Sequence, residues 1–230
     1  MKKITVQFWG DIICPMCPIG YVNLKEGIKL FNGKDNVELI YHSYRLRPGI
    51  APHPVDEYLK GNHGPSTNVP SILKQVEEWG ASAGLTYKMA KTQAGDTMDA
   101  HRVIHFAAAK GLQMEAVERL QKAHFAEEKN IFDRDVLVNA AGEIGLDRDA
   151  VARMLARNEF KVEVEADQEA LYQSGVSGVP YFLINNEIVV RGVQDARIFL
   201  SGLNKAWEKV KAQPEGAEIN GMSCGDHCAF

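Results

Sequence analysis

The chain has 230 residues, 45% of them hydrophobic and 24% charged, with a formal net charge of −4. That is enough for one large domain or a core domain carrying an insertion. Acidic and basic residues are interspersed, which excludes the basic stripe of a nucleic-acid binder, and no apolar run approaches the length of a membrane span.

The N-terminus opens with two lysines, like a signal peptide. Apolar and polar residues then alternate where a signal would keep a continuous apolar core. Ile4, Val6 and Phe8 point one way, which predicts a first strand and a cytoplasmic protein. In that compartment four cysteines are expected to serve catalysis, redox sensing or metal binding rather than structural disulfides. A helix is predicted from about Pro15 to Phe31, a turn at Asn32 to Asn36, and a second strand from Val37 to Leu46. Strand, helix and strand at this length read as a βαβ unit with parallel pairing.

From Arg47 to Pro70 the chain is rich in proline and glycine and reads as loop. Helices are predicted at Ser71 to Ala83, Asp96 to Lys110, Met114 to Glu128 and Arg134 to Ile144, and from an N-cap at Asp147 to Arg157. A further helix, Asn158 to Gln173, leads to the loop Ser174 to Pro180. Strands Tyr181 to Ile184 and Ile188 to Val190 form a hairpin, and a last helix covers Asp195 to Lys211. The organisation expected is a first core part at 1–49, a helical insertion at 50–157, a second core part at 158–212, and a flexible tail at 213–230.

The pair Cys14-Pro15-Met16-Cys17 falls between the first strand and the first helix. The reactive species in thiol–disulfide exchange is the thiolate. A sulfur at the start of a helix meets unpaired N–H groups and the positive end of the helix dipole. Pro15 suits that first turn because it has no N–H to lose. Cys14 is therefore the expected attacking residue. Cys17, one turn deeper, is the expected resolving one.

The element order is that of a thioredoxin fold opened after its second strand, and the motifs agree. The chain resembles the DsbA family, in its FrnE-like cytoplasmic branch. The likeness rests on Cys14-Pro15-Met16-Cys17, on Gly175-Val176-Ser177-Gly178-Val179-Pro180, on Asp99-Ala100-His101-Arg102, and on the pattern from Ile131 to Asp147. It implies an α/β thioredoxin-like fold with an all-helical insertion, and a thiol:disulfide oxidoreductase acting on protein or small-thiol substrates. It also implies a cis peptide before Pro180 in a loop facing the dithiol, with Val179 offering backbone hydrogen bonds to an extended client. Pro15 and Met16 would border that client. The family commonly has an aromatic residue where Met16 stands and Tyr where Pro18 stands. These departures bear on the direction of the reaction. No resident cofactor is expected beyond the redox-active disulfide, with glutathione or a thioredoxin-type protein as exchange partner.

Other readings stand beside this one. Cys14 and Cys17 with Cys224 and Cys228 make a count that zinc accepts, in a sensor or holdase module. A glutathione-dependent, kappa-like isomerase or transferase shares the fold, although such relatives typically lack a complete C-x-x-C. Cys224 and Cys228 form a second redox pair, an idle pair of thiols, or a metal site with His227. His101 and His105 share a helix face, but no glutamate follows His101 as a metalloprotease would require, so a structural or surface role is expected. Asp11 is expected to cap the helix, with proton transfer at the dithiol as the alternative.

Overall fold

The computed structural model describes residues 2–212. Strand β1 (Ile4–Gly10) pairs in parallel with β2 (Val37–Ser43), and on its other side antiparallel with β5 (Tyr181–Ile184). β5 in turn pairs antiparallel with β6 (Ile188–Arg191), giving the order β2-β1-β5-β6. The period-two pattern has a direct physical cause. Ile4, Val6 and Phe8 are fully buried against helix α1 (Met16–Leu30) and the last helix, α9 (Ala196–Ala212), where Phe8 stacks with Tyr21 and Phe182 meets Phe199 edge-on. Trp9 and Tyr181 face the other way, onto Leu171 of α8 (Lys161–Gln173). This is a thioredoxin-like fold of the α/β class.

The chain between β2 and α8 carries α2 (Val55–His63), α3 (Val69–Ser82), α4 (Met98–Ala108), α5 (Gln113–Phe125), α6 (Arg134–Glu143) and α7 (Arg148–Ala156). α4 is the central one: Ala100, Val103, Ile104 and Ala107 are buried along one stripe. Arg102 leaves that stripe to tie down the next connection, donating to the carbonyls of Met154 and Glu159, each at 2.7 Å, and pairing with Asp99. Asp147 caps α7 by accepting from the Ala150 N–H at 3.0 Å.

The structure corrects three expectations here. The stretch from Arg47 to Pro70 is not all loop, since it contains α2, whose Val55 and Leu59 pack on Val69. Its prolines flank the helix instead of interrupting it, and Pro54 stands immediately before the first turn. The insertion also holds a short antiparallel pairing, β3 (His53–Pro54) with β4 (Gln93–Ala94). β2 stops at Ser43, short of Leu46, because the chain leaves the sheet there and the Leu46 N–H turns to a side chain, that of Asp11, at 2.7 Å.

One glycine matters for the site. An added Cβ at Gly20 would lie 3.0 Å from the Pro180 ring and 3.2 Å from Phe182. Gly20 therefore lets α1 approach the loop that precedes β5 closely.

Candidate active site

Cys14 and Cys17 are both free thiols at the junction of β1 and α1. Cys14 stands two residues before the helix and Cys17 is its second residue. Turn hydrogen bonds fix the loop: the Cys14 N–H donates to the Asp11 carbonyl at 3.2 Å, and the Cys17 N–H donates to the Cys14 carbonyl at 3.1 Å. The insertion adds a clamp, with the Tyr87 hydroxyl donating to the Pro15 carbonyl at 2.7 Å. Cys14 keeps 5% of its surface exposed and Cys17 none. Pro15 and Met16 are partly exposed beside them.

The loop before β5 comes up against this dithiol. The Val179–Pro180 peptide is cis. The Cys14 thiol donates to the Val179 carbonyl with Sγ at 3.8 Å. Pro180 is buried and Val179 partly so. The structure thus brings Cys14, Pro15, Met16, Cys17, Val179 and Pro180 together, while Cys224 and Cys228 lie outside the described residues.

Beneath the dithiol is a network that the sequence reading did not assemble. Asp11 is fully buried. Its carboxylate accepts from the Thr97 hydroxyl at 2.8 Å and the Leu46 N–H at 2.7 Å, and pairs with His101 Nε2 at 3.2 Å. It does not cap α1, which starts without a side-chain cap. The expected capping role is therefore corrected. A carboxylate drawn into these three contacts is no longer available to the helix amides. His101 is also fully buried and stacks with Tyr41, ring centroids 6.2 Å apart. Two polar atoms of this cluster, His101 Nδ1 and the Tyr41 hydroxyl, are buried without a partner. The signal available in the sequence was Asp11 itself, one carboxylate in the otherwise apolar run Trp9 to Met16.

The electrostatics follow from burial. Loss of water pushes the Cys17 thiol well up, and its hydrogen bond to Cys14 and the nearby charges of Cys14 and Asp11 push the same way. The Asp11 backbone hydrogen bond partly offsets this. Burial raises Tyr41 as well, reinforced by Cys17 and Asp11. Cys17 is accordingly held as a thiol in a hydrogen bond with its neighbour.

His105 joins a different cluster. With His42 it pairs with Asp167 of α8, at 3.1 and 2.7 Å, and the Ser43 N–H also donates to that carboxylate at 2.8 Å. Burial alone would raise Asp167, but the hydrogen bonds from His105 and His42 outweigh it and bring the carboxyl down to about 2. The two histidines on one face of α4 thus serve different carboxylates.

A family model described as a DSBA-like thioredoxin domain matches residues 5–204. The chain belongs to this family. It is similar to a probable DsbA oxidoreductase from Streptomyces coelicolor, 30% identical, whose crystal structure superposes with a TM-score of 0.86 over 99% of both chains. It is 26% identical over 190 residues to YwbO of Bacillus subtilis, covering 81% of this chain and 89% of that one. The cytosolic disulfide reductase DsbM of Pseudomonas aeruginosa shares the fold at 16% identity, with a TM-score of 0.59 over 90% of this chain and 97% of its own. DsbM has also been determined with GSH.

Proposed function

We propose that this DsbA-like protein is a thiol:disulfide oxidoreductase of the FrnE-like branch, exchanging disulfides with protein clients through Cys14 and Cys17 in the cytoplasm. The observation that carries the reading is the contact of a free Cys14 thiol with the Val179 carbonyl, beside a second free thiol at the head of a helix. A client strand lying along Val179 would have its sulfur delivered to Cys14.

In the reducing direction the Cys14 thiolate attacks one sulfur of the client disulfide. A mixed disulfide forms and one client thiol leaves. Cys17 then gives up its proton and attacks the Cys14 sulfur. The second client thiol leaves and a Cys14–Cys17 disulfide remains, so two electrons have passed to the client. An external dithiol or two molecules of glutathione restore the starting state. Cys17, raised by burial, needs a proton acceptor for the second attack. We assign that task to the Asp11–His101 pair, which lies in the same buried cluster and retains an unsatisfied ring nitrogen.

The test is reduction of insulin by the wild type and by Cys14→Ser, with dithiothreitol as electron donor. The expected result is complete loss in the variant, and equal activity would contradict the reading. Cys224 and Cys228 are proposed to exchange with the first pair as a relay. Disulfide mapping of the oxidised protein should then find them linked to each other or to Cys14, and free thiols at both positions would remove the relay.

A further inference from the structure

A cavity of about 130 Å³ opens beside the dithiol, between the Cys14 loop and the α2–α3 part of the insertion. Ile13 and Pro15 form its wall on the dithiol side, and Leu46, Tyr58 and His124 form other parts. Most of the lining is aliphatic, and no carboxylate belongs to it. Its one full cation is Arg47, just past the end of β2. The guanidinium lies over the Tyr58 ring at 4.2 Å, its Nε is buried with no acceptor, and among the described residues no acid pairs with it. The contrast with its neighbour is direct: Arg45 is bound by both oxygens of Asp96, each at 3.1 Å. A guanidinium stacked in place and short of an anion is preorganised for a planar carboxylate. His124 does not supply competing charge, since burial lowers it to about 4.

We propose that Arg47 makes this cavity a specificity pocket for polypeptide clients that carry an acidic side chain beside the reacting cysteine, an inference that rests on the oxidoreductase reading above. The volume is that of roughly four waters, enough for a single side chain. An acidic side chain matches the lining: its methylenes lie on the apolar wall while its carboxylate reaches Arg47. A polypeptide is favoured over a free small thiol by what borders the pocket. Leu46 and Ile50, in the same connection, are 37% and 47% exposed, and a chain running on from the pocket would cover them.

The experiment uses the full-length protein carrying Cys17→Ser, Cys224→Ser and Cys228→Ser, in which a client stays attached to Cys14. Two cysteine peptides, identical except for Glu or Gln next to the cysteine, are each supplied as the 2-pyridyl disulfide. Cys14 attacks the peptide sulfur, and pyridine-2-thione leaves. The two compete at equal concentration, and mass spectrometry of the Cys14 fragment gives the ratio of adducts. The expected ratio is about ten to one for the Glu peptide, falling towards one at high salt and in an added Arg47→Met, and partly recovered in Arg47→Lys. A ratio near one without the Arg47 change, which needs no assumption about how the variants fold, would overturn the proposal, as would a preference that survives Arg47→Met. Arg47-dependent selection of 3-mercaptopropionate over its amide, both supplied as 2-pyridyl disulfides, with none between the peptides, would overturn the polypeptide assignment in favour of a small acid. No adduct on Cys14 from any disulfide would instead count against the oxidoreductase reading itself.

Discussion

Two carboxylates in this protein, Asp11 fully buried and Asp167 partly so, recruit histidines from the same helix; each takes three contacts, but their surroundings differ. Asp167 sits between β2 and α8 with every visible demand met: two histidines and the Ser43 N–H bind it, and His42 also reaches Gln7 at 3.0 Å. Asp11 sits under the dithiol, fully buried, with His101 Nδ1 and the Tyr41 hydroxyl left unpartnered around it. Buried polar groups are ordinarily satisfied because an orphan costs about 1–3 kcal/mol. A satisfied cluster is what docking a helix onto a sheet edge requires. An unsatisfied one beside two thiols is where the proton transfer proposed for Cys17 would take place.

The sharpest way to break this contrast is to neutralise each carboxylate in turn. Asp11→Asn is expected to slow the attack of Cys17 on the mixed disulfide by about a hundredfold and to flatten the pH dependence of that step, followed by stopped-flow release of client thiol. Asp167→Asn should leave that step as it is and instead lower stability. If the two variants behaved alike, the distinction between the clusters would fall.

The next largest effect is on acid stability. The Asp167 carboxyl is lower in the folded protein than in the unfolded chain, so the stability it provides is complete above about pH 4 and is lost as the pH falls towards 2. The full shift corresponds to roughly 2 kcal/mol. Urea unfolding at pH 6 and pH 3 should show a wild-type loss that Asp167→Asn largely lacks. A parallel loss in the variant would assign the acid sensitivity elsewhere.

The smallest effect concerns the orphan hydroxyl. Tyr41→Phe removes a buried group that has no partner and keeps the edge-to-face contact with Phe8, whose ring centroid is 5.2 Å away. It should be neutral or stabilising by up to about 1 kcal/mol in thermal unfolding. A clear loss of stability would mean that the hydroxyl is engaged after all.

Much of the fold was legible because its signals are local. Alternation gave β1, the stripe on α4 gave a buried helix, and Asp147 announced the start of α7. The placement of Cys14 and Cys17 at the strand–helix junction was legible for the same reason, since it is written in four consecutive residues. What escaped the sequence depends on tertiary placement. α2 is short, and its burial on Val69 is visible only once α3 is in place. The Asp11 network draws on Leu46, Thr97 and His101, up to 90 residues away, and no spacing rule connects them. Arg47 reads as one more surface charge until Tyr58 is found beneath it.

In the proposed exchange a client becomes covalently attached to Cys14, opposite Val179, and is released by Cys17. Incubating Cys17→Ser with a disulfide-bonded peptide and mapping the product by mass spectrometry tests this most directly. One peptide per chain is expected, bonded to Cys14, and with Cys224 and Cys228 also changed to Ser it stays there until a reductant is added. Attachment at Cys224 or Cys228 instead, or none at all, would contradict it.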